Sequence, residues 1–272
     1  MNTSELSGKT VVGIFDSGVG GLSVWRELIK AIPGNRMVYV SDNAYSPYGP
    51  RPQSEIIERA VAVTEFLISQ GAGIIVIACN TATAAAIDVL RLRYDIPFVG
   101  MEPAVKPAAL LSKTKTIGVL ATKGTFMGRL YNSTLRRFAT GVRVVEKVGT
   151  GLVDIVESGR VDSAESMRLL ERYIRPMINR GADHIVLGCT HYPFLSEQIA
   201  KIAGPDIKLV DPAPAVAKHT YEIMEERGLL CHDSIDQLQQ TRFFCTGSPQ
   251  NLLRVARTIL PSLDEGFFER ME

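Results

Sequence analysis

At 272 residues, with 46% apolar side chains, the chain is long enough to bury a full core and predicts two modest domains. Charged residues make up 22% and the net charge is +1; the basic residues are scattered and not interleaved with aromatics, which argues against nucleic acid or an acidic membrane as partner. No apolar stretch approaches bilayer length, and Met1–Lys9 is polar without an apolar signal core, so the chain reads as cytoplasmic.

Short apolar or β-branched runs alternate with helical patterns along the chain. Residues 11–15 predict a strand, followed by Gly18-Val19-Gly20-Gly21 and a helix over 22–31. A second strand over 37–41 ends at Asp42, and a polar stretch through Tyr48 and Gly49 leads to a helix over 53–70. Residues 74–78 run into Cys79 and a helix over 83–93; a strand over 98–100 then precedes Glu102-Pro103. The pattern resumes with strands over 116–120, 142–146 and 184–188, and with helices over 125–138 and 164–180. Strands over 207–210 and 242–245 complete it. Several of these strands are apolar throughout, as expected where helices cover both sheet faces, so the fold class is α/β with mostly parallel sheets.

The chain also repeats itself at about half its length. Cys79 follows Asp16 by 63 residues, and Cys189 follows Thr122 by 67. Each cysteine is followed by a strand ending in acid–proline, Glu102-Pro103 after 23 residues and Asp211-Pro212 after 22. Read as crossovers, these pairs divide the chain into one domain of 1–100 plus 211–272 and a second of 101–210.

Four polar clusters fall at predicted carboxyl ends of strands, where parallel sheets bind ligands: Asp16-Ser17-Gly18, Ser41 through Gly49, Cys79-Asn80-Thr81 and Cys189-Thr190-His191. A thiol opening a helix feels backbone N–H groups and the positive end of the helix dipole, which favour thiolate. Asn80, Thr81 and Thr190 are cap-type residues able to donate to a bound carboxylate. Taken singly, each cysteine reads better as a small buried apolar residue, the commonest fate of a free cysteine. As a matched pair they suggest one site with a thiol on each side, suited to moving a proton from one face of a carbon to the other. Cys231 and Cys245 lack this context, and no Cys-x-x-Cys spacing supports a zinc site or a disulfide frame; Cys231-His232-Asp233 stands without a second ligand group. Asp16 reads either as a helix cap or as an acid assisting proton transfer, and His191 either as structural or as a helper of Cys189. Glu157 reads as a solvated position on an amphipathic helix. The glycine loop imitates a dinucleotide fingerprint, but the third glycine falls on Ser23 and Asp16 would crowd the phosphates. The loop is better read as close backbone approach to a small anionic ligand.

At these residues the chain resembles the bacterial glutamate racemases of the cofactor-independent aspartate/glutamate racemase family. The resemblance rests on Gly13 through Leu22, Asp42 through Gly49, Ala78 through Ala82, Gly118 through Thr122 and Gly188 through Pro193, in family order over nearly the whole chain. It implies two similar flavodoxin-like domains related by pseudo-twofold symmetry, and interconversion of L- and D-glutamate for peptidoglycan without pyridoxal phosphate or metal. It implies Cys79 as the base toward D-glutamate and Cys189 as the base toward L-glutamate, assisted by Asp16 and His191. It implies substrate contacts at Asp16, Ser17, Tyr48, Gly49, Asn80, Thr81, Thr190 and His191, and a further role for a glutamate near Glu157 in some members. Homodimers and regulation by a cell-wall precursor occur within the family. The competing readings are an aspartate racemase, a nucleotide-binding α/β domain and a non-catalytic binding protein for an anionic metabolite.

Overall fold

The computed structural model describes residues 10–231, 241–259 and 268–271. The polar segment Met1–Lys9 and the His232-Asp233 pair lie outside the described residues. Among the described residues, ten strands form two sheets. The first contains β1 (Val11–Asp16), β2 (Met37–Ser41), β3 (Ala72–Ile77) and β4 (Phe98–Gly100). The second contains β5 (Thr116–Ala121), β6 (Arg143–Val148), β7 (His184–Gly188) and β8 (Lys208–Val210). The chain then returns to the first sheet as β9 (Thr241–Cys245) and β10 (Phe268–Arg270). Sheet orders are β10-β9-β2-β1-β3-β4 and β6-β5-β7-β8, and every pairing is parallel.

The first four strands of each sheet share one order, second-first-third-fourth, the flavodoxin-like arrangement. In that order the strand sequence reverses between the first and third strands, which opens a crevice at their carboxyl ends. Asp16 ends β1 and Cys79 follows β3; Thr122 follows β5 and Cys189 follows β7. The internal repeat is therefore a repeat of topology that puts each thiol at its own switch point.

Central strands are buried along their whole length, as in β1 and β2, whereas the edge strand β6 is largely open to solvent. One continuous apolar cluster runs from Val12 and Ile14 under the first sheet to Leu152, Ile155 and Leu187 of the second, so the halves are welded on one side. Helix Ala213–Glu226 lies along helix Leu22–Ala31. Separate clusters cover the outer faces of the two sheets.

Three local differences from the sequence pattern have physical causes. The helix expected over 83–93 begins at Asn80, because Cys79 is itself the N-cap: its sulfur accepts from the Ala82 N–H at 3.4 Å. The helix expected over 125–138 is two helices, Lys123–Met127 and Arg129–Phe138, broken at Gly128. There the backbone turns extended at ψ 140° and approaches helix Asn80–Arg93 so closely that a Cβ would sit 2.7 Å from Ala84 Cβ. Strand β10 was not expected; it is three residues long, pairs with β9 and is fastened by Arg242 to Glu269 at 2.8 Å.

Candidate active site

A cavity of about 270 Å³ lies between the carboxyl ends of the two sheets, a size suited to a small metabolite. The first sheet contributes Ser17, Tyr48 and Gly49 from loops and Cys79, Asn80 and Thr81 from the head of helix Asn80–Arg93. The second contributes Cys189, Thr190 and His191 from the turn after β7. Of the ten residues expected at the site, only Asp16 does not line the cavity; it sits fully buried behind Ser17. Lys123, at the start of its short helix, is the one Lys or Arg among the described lining residues. Thr122, the sequence counterpart of Asp16 and the end of the family-like stretch from Gly118, is not among the expected site residues. It also lines the cavity and bridges the halves, its hydroxyl 2.8 Å from that of Thr81 and 2.9 Å from that of Thr125.

At the first corner, the Cys79 thiol is 3.7 Å from the Ser17 hydroxyl. Its pKa does not follow the helix-start expectation. Burial, and then the negative field of Asp16, push the thiol well above its ordinary value; the Ala82 N–H and Ser17 pull the other way without prevailing. One N–H at a helix start cannot offset the loss of solvent around a group that is 5% exposed. Asp16 behaves alike: burial raises its pKa from 3.8 to about 6, opposed by His191 and the Gly21 N–H. Its Oδ2 accepts from Gly21 N, the N-cap of helix Leu22–Ala31, at 2.7 Å, so Asp16 braces the glycine loop while standing beside a thiol. Its Oδ1 has no hydrogen-bond partner among the described residues.

The second corner is a relay. Cys189 Sγ lies 3.7 Å from His191 Nδ1, and His191 Nε2 lies 2.7 Å from Glu157 Oε1. Burial works against charge on His191, but hydrogen bonding to Cys189 and Glu157 outweighs it and lifts the imidazole well above its ordinary pKa. Both ring nitrogens can then donate, one to sulfur and one to carboxylate.

Glu157 corrects the sequence reading twice. It ends helix Leu152–Glu157 of the second half, and its side chain turns inward rather than into solvent. The same Oε1 accepts from Val19 N at 2.9 Å, across the interface between the halves. The glycine loop does make a close backbone approach to an anion, but the anion is this carboxylate: a Cβ on Gly18 would fall 1.7 Å from Glu157 Oε1, and one on Gly20 would fall 2.3 Å from His191 Nδ1. Nothing in the hydrophobic pattern distinguishes Glu157 from the solvated Asp154 on the same helix; its traces in the sequence were the family resemblance and the glycine loop around Val19, 138 residues away.

Two further features point into the cavity. Asn80 is 3% exposed, and both ends of its amide lack a hydrogen-bond partner among the described residues, an arrangement costly unless a ligand completes it. Tyr48 turns its hydroxyl away, donating to Asp42 Oδ2 at 2.5 Å, so that ring and backbone face the cavity. Cys231 and Cys245 are remote: Cys231 N donates to Asn35 at 3.1 Å, and Cys245 is packed in β9. Among the described residues no cluster of His, Cys, Asp and Glu could hold a metal, and no helix is long and apolar enough to cross a membrane.

The sequence profile of the Asp/Glu/hydantoin racemase family matches residues 12–220. The glutamate racemase of Roseiflexus sp. (strain RS-1) is 48% identical over 220 residues, covering 80% of this chain and 81% of that protein. Among solved structures, glutamate racemase isoform RacE1 from Bacillus anthracis superposes with a TM-score of 0.88 at 31% identity, over 97% of this chain and 98% of that one. Escherichia coli glutamate racemase, solved with L-glutamate and the activator UDP-MurNAc-Ala, gives 0.81 at 31% identity over the same shares. The chain belongs to the Asp/Glu/hydantoin racemase family.

Proposed function

We propose that the chain is a glutamate racemase that moves the Cα proton of glutamate between Cys79 and Cys189, one thiol on each face of the carbon. The observation that carries this reading is the pair of buried thiols, delivered by equivalent switch points of two like sheets to one cavity. In one direction the Cys79 thiolate takes the proton of D-glutamate, and the Cys189 thiol returns its own proton to the opposite face. In the other direction the roles exchange. Each turnover leaves the thiols in the reverse protonation pattern, which matches two bases with different helpers.

The Cα–H is a very weak acid, so the carbanion needs fixed donors in a site shielded from water. Asn80 supplies an unpaired buried amide, and the backbone N–H groups following each cysteine supply the rest of the α-carboxylate cradle. Asp16 supplies negative charge near the substrate ammonium, and that ammonium in turn offsets the field that raises the Cys79 pKa. The Tyr48–Gly49 backbone holds the distal carboxylate; neither N–H donates to another group among the described residues. Closure of the two units, 1–100 with 211–272 and 101–210, excludes water. Supply of D-glutamate for peptidoglycan, action in the cytoplasm, a homodimeric state and response to a cell-wall precursor belong to the same reading, the last supported by the activator bound to the E. coli relative.

Purified protein incubated with either enantiomer of glutamate in D₂O, without added cofactor, is expected to place deuterium at Cα of the inverted product. Aspartate offered side by side is expected to turn over far more slowly. Glutamate that binds but keeps its Cα proton would make this a binding protein instead.

A further inference from the structure

The loop that lines one end of the cavity, Ser46 through Pro50, has no regular structure of its own. What fixes it lies behind it. Asp42, at the end of β2, is a fully buried carboxylate holding three donors. Arg59, on helix Gln53–Ser69, binds it in a two-pronged fashion, Nε to Oδ2 at 3.0 Å and Nη2 to Oδ1 at 2.8 Å. The third donor is the Tyr48 hydroxyl at 2.5 Å. The Arg59 guanidinium also lies 4.0 Å from the centre of the Tyr45 ring, and Arg51, just past the loop, donates to the Tyr45 carbonyl. The stretch from Asp42 to Arg51 thus wraps around one guanidinium.

A buried ion pair is a poor source of stability, since an apolar pair of similar volume does as well or better. What it supplies is direction: a forked guanidinium fixes both carboxylate oxygens in position and plane. Here one of those oxygens carries the tether to the cavity loop. A pair serving only to brace helix Gln53–Ser69 against β2 has no need of the Tyr48 bond.

We infer that Arg59 is a positioning residue that, through Asp42 and the Tyr48 hydroxyl, sets where the Tyr48–Gly49 backbone meets the distal carboxylate of the substrate and so selects a five-carbon over a four-carbon dicarboxylate. This rests on the proposed function, because it takes that backbone as the distal anchor. Arg59 itself does not line the cavity.

The test is steady-state racemisation of glutamate and aspartate, with thermal melting, for the wild type and for Arg59→Met, Arg59→Lys and Tyr48→Phe. Arg59→Met is expected to raise KM for glutamate about tenfold while kcat stays within about threefold, the pattern of lost binding rather than lost chemistry. The glutamate-to-aspartate ratio of kcat/KM should fall with it. Arg59→Lys keeps the charge without the fork and should recover part of the KM. Tyr48→Phe keeps the ion pair and cuts only the tether, so it should move KM and the ratio in the same direction, and it decides the matter if Arg59→Met does not fold. Variants that lose kcat with KM and the ratio unchanged, or lose activity only in step with melting, would reduce the pair to a structural brace. A wild type inactive on glutamate would overturn the parent reading and this inference together; an active wild type with unresponsive variants would overturn this inference alone.

Discussion

The Cys79 and Cys189 corners occupy the same place in the same topology and differ in nearly everything that touches the sulfur. Cys79 caps a helix and has a hydroxyl and a buried acid for company. Cys189 faces an imidazole backed by a carboxylate. Duplicated topology delivers two thiols to one cavity, and each is met there by unlike neighbours. The corners are also coupled. His191 holds the Asp16 pKa down and Glu157 pushes it up, so the helper of one thiol feels the charges around the other.

The strongest way to break the comparison is to delete either thiol. Cys79→Ala and Cys189→Ala should each lower racemisation by at least about a thousandfold, the range for removing a proton-transfer group, with glutamate still binding. Full activity in either variant, measured by circular dichroism of the substrate, would sink the two-thiol account.

Exchanging the helpers sharpens it. Asp16→Asn and His191→Asn should each cost about a hundredfold. Two enantiomers are equal in free energy, so kcat/KM must fall equally in both directions and cannot reveal which corner was damaged. Primary isotope effects can. Asp16→Asn slows the Cys79 step, so the effect with Cα-deuterated D-glutamate should grow and that with L-glutamate should shrink; His191→Asn should do the reverse. Equal changes in both directions would mean that the helpers are not assigned to separate thiols.

Asp16 also carries a pH signature. Its folded pKa of about 6 lies above the ordinary 3.8, so the folded state keeps a proton that the unfolded chain has released. That stabilising contribution is lost as pH rises through this window, and Asp16→Asn should flatten both the stability curve there and the inflection near pH 6 in kcat/KM.

Much of this comparison is legible in the sequence, for reasons particular residues make plain. Strands β1 and β2 are apolar runs that end at Asp16 and Ser41, and the apolar runs of β3 and β7 lead into Cys79 and Cys189, so these strands and the cysteines beyond the last two stand out. The repeat spacing carries the two-sheet architecture. What escapes is whatever depends on distant segments meeting. Glu157 sits on a helix whose pattern marks only Leu152, Ile155 and Val156 as inward, and its partners Val19 and His191 come from other parts of the chain. The Cys79 pKa escapes for a related reason: a helix start is visible locally, but the burial that overrides it is made by both halves. The break at Gly128 is set by Ala84 on another helix.

Glu157 gives the smallest expected effect and the most specific one. Glu157→Gln keeps the shape and an acceptor for the Val19 N–H while removing the charge that helps hold His191 protonated. Trading a charge-assisted hydrogen bond for a neutral one should cost about tenfold in activity. His191 has a raised folded pKa, so its contribution to stability is complete below the unfolded value near 6.5 and is lost as pH rises through the folded one. Lowering that folded pKa should move the alkaline limb of kcat to lower pH and narrow the range over which the stabilisation persists. Gly18→Ala reaches the same carboxylate from the other half by steric means, since the new methyl cannot coexist with Oε1 in its present position. If Glu157 acts by linking the halves, the two variants should shift the pH limb in the same direction and the double variant should add little to either. If the double variant instead multiplies the two losses, carboxylate and glycine loop act separately, and the relay belongs to the Cys189 corner alone.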